Sequence, residues 1–134
     1  MSRQKYPIPV VRAVIRNDAG EILLLKRSNC VHYDNLWCLP GGKIDAEDTI
    51  EQSLRRELAE ETALTVKKAK FLFYIESMEN VQDSESYITF YFECTVEGEI
   101  KLNKESMNFA WIGKESFDEY QYAFNTAQVL KRLW

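Results

Sequence analysis

Residues 42–64 read GKIDAEDTIEQSLRRELAEETAL, a glycine turn feeding a helical pattern that ends in glutamates where apolar residues are expected. With Ile50 as origin and about 100° per residue, Leu54 falls at about 40° and Leu58 at about 80°, so these three form the stripe that faces a core. On the same wheel Glu57 falls at about 340°, Glu61 at about 20° and Glu60 at about 280°. Two carboxylates thus share the apolar azimuth and a third flanks it. Ala59 lies at about 180° and could exchange with any of them at no loss of helix propensity, so their inward placement asks for a reason.

Glutamates spaced i, i+3 and i+4 repel one another on one helix face. Buried carboxylates pair, neutralise or bind a cation, and Arg56 alone cannot offset three of them. The competing reading is a charged, solvated face, which the phase of Glu57 and Glu61 disfavours. Oxygen-only donors suit a hard cation, Mg²⁺ or Mn²⁺. Zinc finds little here: His32 is the single histidine, and Cys30, Cys38 and Cys94 lack metal-ligand spacing. A hard-cation cluster beside a glycine-rich turn suits phosphoryl chemistry, in which charge neutralisation and in-line positioning matter more than covalent help. It predicts hydrolysis of a phosphoanhydride, with one glutamate able to act as general base.

The rest of the chain bounds that reading. At 134 residues, 46% hydrophobic and 13% aromatic, it is long enough for one domain over residues 1–134 and too short for two. A formal charge of −4 provides no basic face for a long nucleic acid, whereas a small polyanion can enter through a bound cation. Arg12 interrupts the nearest apolar run that could serve as a signal peptide, and no stretch reaches membrane-spanning length. Three cysteines and no Asn-x-Ser/Thr acceptor point to a reducing cytoplasm.

Strand signals recur on both sides of the helix. Residues 10–15 and 22–25 flank Asn17, Asp18, Ala19 and Gly20, which reads as a hairpin turn. Residues 71–75 form an apolar run, and residues 86–96 alternate cleanly, which predicts a long, half-buried strand. Residues 109–112 suggest a further short strand, and residues 125–134 place Ala127, Leu130, Leu133 and Trp134 near helical spacing. The expected class is α+β, a mixed sheet with a helix on each side.

Gly42, Asp48 and the run Arg56, Glu57, Leu58, Ala59, Glu60, Glu61, Thr62, Ala63, Leu64 resemble the Nudix box, the pattern G, five residues, E, seven residues, R-E-U-x-E-E-x-G-U. Two positions depart from it: Asp48 stands for glutamate and Ala63 for glycine. Asp48 keeps the charge on a shorter arm. An alanine where a helix closes at positive φ costs on the order of 1 kcal/mol, unless the helix ends in another turn.

The resemblance implies the Nudix fold, an α/β/α sandwich. It also implies that Glu57, Glu60 and Glu61, with the Gly42 carbonyl, hold the metal and supply the base, and that Arg56 orients the carboxylates.

Outside the box the chain is similar to the MutT-like branch, which cleaves nucleoside triphosphates to a monophosphate and pyrophosphate. That likeness implies phosphate contacts from Arg27 and His32, a further metal-reaching carboxylate at Glu105, and a base-reading role for Asn125. Read without the family, Glu105 is equally a surface glutamate, and Asn125 equally a cap on the last helix. Tyr33, Trp37 and Phe73 are candidates for stacking, with a core or rim role as their default. Cys38 and the acidic stretch 78–86 depart from the branch and leave the base open.

Two other readings stay in view, an ADP-ribose, nucleotide-sugar or dinucleotide hydrolase and a sensing module without turnover. The oligomeric state is open, with a dimer among the options.

Overall fold

The computed structural model describes residues 6–28, 33–77 and 85–134. Its elements run β1 Ile8–Ile15, β2 Ile22–Arg27, β3 Trp37–Cys38, β4 Gly41–Lys43, α1 Ile50–Thr62, β5 Thr65–Ser77, β6 Tyr87–Glu97, β7 Ser106–Ile112, a short 3₁₀ helix Lys114–Glu119 and α2 Thr126–Leu133. Four strands form a mixed sheet in the order β4-β1-β6-β5, in which only β1 and β6 run parallel. A second, antiparallel sheet has the order β3-β2-β7.

The reversal at residues 17–20 forms as expected. The Asn17 Oδ1 accepts from the Ala19 N–H at 3.1 Å and the Glu21 N–H at 2.9 Å, and Gly20 takes φ 78°. The strands it joins do not make the expected hairpin. After a single bridge, Arg16 to Ile22, they part into different sheets. Both are apolar on both faces, so neither needs the other as its only cover. Val11, Ala13, Ile15, Leu23 and Leu25 join Leu54 and Leu58 of α1 in one core. Val14, Ile22 and Leu24 join Val129 and Leu130 of α2 in the other. The result is a helix layer on each side of the strands.

The same double cover corrects the reading of β6 as half-buried. Phe92 and Cys94 face the α1 core as the alternation requires, but Tyr91 is buried in the α2 core and Thr89 beside it is also buried. β6 is an interior strand, flanked by β1 and β5, and its polar-looking face is covered at Thr89 and Tyr91 while Glu93 stays half-exposed.

The helix α1 starts with a reciprocal capping box. The Thr49 Oγ1 accepts from the Gln52 N–H at 3.1 Å, and the Gln52 Oε1 accepts from the Thr49 N–H at 2.8 Å. It ends at Ala63 in the left-handed region, φ 65° and ψ 10°, with the Ala63 N–H donating to the Ala59 carbonyl at 3.0 Å. The alanine therefore takes a left-handed conformation that glycine adopts more readily, at a cost of about 1 kcal/mol. Among the described residues no helix is long and apolar enough to cross a membrane.

Candidate active site

The glycine turn before the helix is itself a strand. Gly41 and Gly42 lie in β4, paired with Arg12 and Val11 of β1, and the Ala13 N–H donates to the Pro40 carbonyl at 2.8 Å. Both glycines are required by close approach. A Cβ on Gly41 would stand 2.0 Å from the Val11 carbonyl oxygen, and its φ of 152° is one that other residues rarely adopt. A Cβ on Gly42 would stand 2.5 Å from the Glu57 carboxylate carbon. Helix α1 thus lays Glu57 directly on the β4 backbone.

The helical phase sorts the glutamates as the wheel predicts. The Glu57 side chain is 16% exposed, whereas that of Glu60 is 56% exposed. Arg56 brackets three carboxylates: its Nε meets the Asp48 Oδ2 at 3.1 Å, and its Nη1 meets the Glu57 Oε1 at 3.2 Å and the Glu60 Oε1 at 3.7 Å. Asp48 in place of glutamate therefore serves the arginine clamp, and its shorter arm suffices because Arg56 reaches it. Glu61 turns the other way, its Oε1 accepting from the Gly41 N–H at 2.8 Å.

Burial drives the Glu61 carboxyl up to about 7, against the lowering effects of the Gly41 N–H and of Arg12. Burial also raises Glu57, with Arg56 opposing and Glu60 reinforcing the shift. Glu105 is exposed on the segment before β7, yet its charge raises both Glu57 and Glu61. The fold therefore brings Glu105 to the helix glutamates from a second element.

The donor set is carboxylate oxygen, which fits a hard divalent cation. Among the described residues no three His, Cys, Asp or Glu side chains stand converged as a ready metal cage. Glu57 is engaged by Arg56 and Glu61 by the Gly41 N–H. The fit to a cation lies in their crowding: carboxylates raised by burial and by one another gain when a positive charge joins them.

On the α2 face, Arg27 ends β2 with its Cζ 4.7 Å from the centre of the Phe124 ring. Tyr33 packs on the same ring, centroid to centroid 4.7 Å. Asn125 occupies the N-cap position of α2 but makes no capping hydrogen bond; its Nδ2 donates to the Ser77 Oγ at the end of β5. The capping role is thereby replaced by a tie between two elements. Trp37 and Phe73 pack against the α2 core, Trp37 edge-on to Tyr120 and Phe73 on Tyr91. His32 and residues 78–84 of the acidic stretch lie outside the described residues.

One residue escaped the sequence reading. Arg12, read there only as an interruption of an apolar run, is 7% exposed and donates from Nη1 to the Leu39 carbonyl at 2.8 Å. Its Cζ stands 4.6 Å from the Phe124 ring centre. The available signal was a charge at the middle of VVRAVI, where both strand faces are apolar.

The NUDIX domain family model matches residues 7–133, nearly the whole chain. The chain belongs to the Nudix family. This Nudix chain is 31% identical over 133 residues to an 8-oxo-dGTP diphosphatase of Haemophilus influenzae, covering 96% of the chain and 93% of that protein. It is 25% identical over 131 residues to the nucleoside triphosphatase NudI of Escherichia coli, covering 91% of the chain and 93% of that protein. Its fold superposes on the MutT protein of Methanosarcina mazei with a TM-score of 0.83 at 28% identity, over 98% of the chain and 95% of that structure. These likenesses make it a MutT-like Nudix pyrophosphohydrolase, with the fold class expected from its sequence.

Proposed function

We propose that this Nudix enzyme hydrolyses a nucleoside triphosphate to a monophosphate and pyrophosphate, with Mg²⁺, or Mn²⁺ in its place, held by Glu57, Glu60, Glu61 and the Gly42 carbonyl and approached by Glu105. The observation that carries the reading is the seating of Glu57 and Glu61 against Gly42 and Gly41, crowded carboxylates raised by burial. Their burial leaves a deficit of positive charge that Arg56 alone does not fill. The names of the two sequence relatives, a nucleotide diphosphatase and a nucleoside triphosphatase, agree with a small nucleotide substrate.

A hard cation held there would supply charge neutralisation of phosphoryl oxygens and a more acidic water. The remaining work falls to this chain's residues. Arg56 holds Glu57 and Asp48 in fixed orientation through its planar fork. Glu57 or Glu61 accepts the proton of the attacking water as its oxygen bonds to phosphorus. The anhydride bond between the α and β phosphates breaks, and its bridging oxygen leaves on one product. Arg27, and by resemblance His32, hold the phosphates. Asn125 meets the base, held by the hydrogen bond from Nδ2 to Ser77 and presenting Oδ1 as an acceptor.

A nucleotide panel with Mg²⁺, read by product identity, tests the proposal. Pyrophosphate with a nucleoside monophosphate supports it. Two organic phosphates from ADP-ribose or a dinucleotide, without cleavage of triphosphates, would replace it with the nucleotide-sugar reading. E57Q and E61Q should each lower metal-dependent turnover by a factor of at least about 10²; near-native turnover in both would remove the base and ligands from this helix.

A further inference from the structure

Among the described residues, Arg12 is the one buried cation that the proposed chemistry leaves unused. A guanidinium costs several kcal/mol to bury unless an anion and hydrogen-bond acceptors meet it. Here, among the described residues, no carboxylate lies within ion-pair distance of Arg12. Its single hydrogen bond runs to the Leu39 carbonyl. Among the described residues the other guanidinium nitrogens find no acceptor, and neither is fully sealed from solvent, which leaves them able to donate to a ligand.

The surroundings say what kind of ligand. Val14, a neighbour of Arg12 on the same strand face, belongs to the α2 core, the side away from α1. The Arg12 guanidinium reaches the Phe124 ring, while its charge still lowers the Glu61 carboxyl behind it. That residue sits at φ 53°, a backbone state that bulky side chains rarely occupy, and holds its ring against Arg12, Arg27 and Tyr33. Asn125 follows directly, with one amide N–H donating to the Ser77 Oγ and its carbonyl oxygen able to accept. The wall thus combines a donor-only fork, an aromatic ring and one acceptor.

We infer that Arg12 determines base specificity, taking the carbonyl edge of a keto base, guanine or uracil, in preference to the amino edge of adenine. Arginine offers donors and nothing else, so it matches O6 and N7 of guanine or O4 of uracil, while the adenine amino group would meet it donor to donor. The adjacent ring N–H of guanine or uracil finds the Asn125 carbonyl. Adenine carries no hydrogen at that ring nitrogen. The inference rests on the proposed nucleotide substrate and refines it.

Calorimetric binding of GMP, UMP and AMP to the wild type, R12M and R12K tests it without turnover. In the wild type GMP or UMP, or both, should bind at least about fivefold tighter than AMP, and the comparison of GMP with UMP shows which keto base the wall takes. In R12M the keto-to-AMP affinity ratio should fall about tenfold, and R12K, a point charge without the fork, should restore only part of it. Thermal melting confirms that the variants fold; if R12M does not, the fall of the ratio in R12K decides. An equal loss for all three nucleotides would assign Arg12 to phosphate binding and overturn the inference. A wild type without base preference, or without affinity for any monophosphate, would overturn it as well. Failure of the triphosphate reading shows separately, as missing pyrophosphate in the turnover panel.

Discussion

The Glu57 carboxylate rests on the Cα of Gly42, so closely that a methyl group there would stand 2.5 Å from its Cδ and Oε2 and 2.8 Å from its Oε1. G42A therefore acts on Glu57 rather than on the backbone, since Gly42 lacks the positive φ of Gly41. The end of a glutamate side chain can swing away, so the melting temperature should drop by only a few degrees. Turnover should fall by at least about 10², because a carboxylate misplaced by 1 Å loses its role in positioning. Retained activity in G42A would show that this contact does not set the Glu57 geometry.

Glu61 links the site to stability. Its carboxyl titrates at 4.5 in the unfolded reference and at about 7 in the fold. Between those values the folded chain holds a proton that the unfolded chain has released, so this group's contribution is present in full below about pH 4.5 and is lost as pH rises to about 7. Denaturant melts of the metal-free protein should show stability falling over that window, and E61Q should flatten the slope. A divalent cation competes with that proton, so Mg²⁺ should raise the melting temperature more at pH 8 than at pH 5.5. A metal effect independent of pH would separate Glu61 from the cation.

Ala63 in the left-handed region gives a simple stability test. A63G removes the Cβ conflict at the helix C-cap and should stabilise the fold by about 0.5–1 kcal/mol, a rise of a few degrees in melting temperature. Ala63 is exposed and its N–H already bonds to the Ala59 carbonyl, so no packing is lost. An unchanged or lower melting temperature would mean that the added freedom of glycine in the unfolded chain outweighs the relief.

Asn125 separates binding from capping. Because its side chain bonds Ser77 and not the first turn of α2, N125A should cost α2 less than the ~1 kcal/mol typical of a lost side-chain cap. It should instead change the ranking of nucleotides by kcat/KM, and S77A should move that ranking in the same direction by releasing the amide. Full cap-sized destabilisation with an unchanged ranking would restore the helix-capping role.

Much of this protein was legible in its residue order because the decisive features are local. The phase of Ile50, Leu54 and Leu58 placed Glu57 and Glu61 inward, and the structure half-buries those two and leaves Glu60 exposed. Helical periodicity is a property of one segment, and burial follows from it. The parting of β1 and β2 into different sheets was not legible, since a tight turn such as Asn17 to Gly20 specifies a reversal and not a partner.

Residue order alone was enough for the glutamate-bearing helix, the inward phase of Glu57 and Glu61 and the class of chemistry, all set by neighbours within a few turns, whereas its capping box emerged with the structure. The folded chain was needed to show that Asp48 belongs to the Arg56 clamp, that Asn125 answers to Ser77 across 48 positions, and that Arg12 reaches Phe124. Those relationships join residues far apart in the chain. They exist only once two apolar cores have closed on opposite sides of the strands.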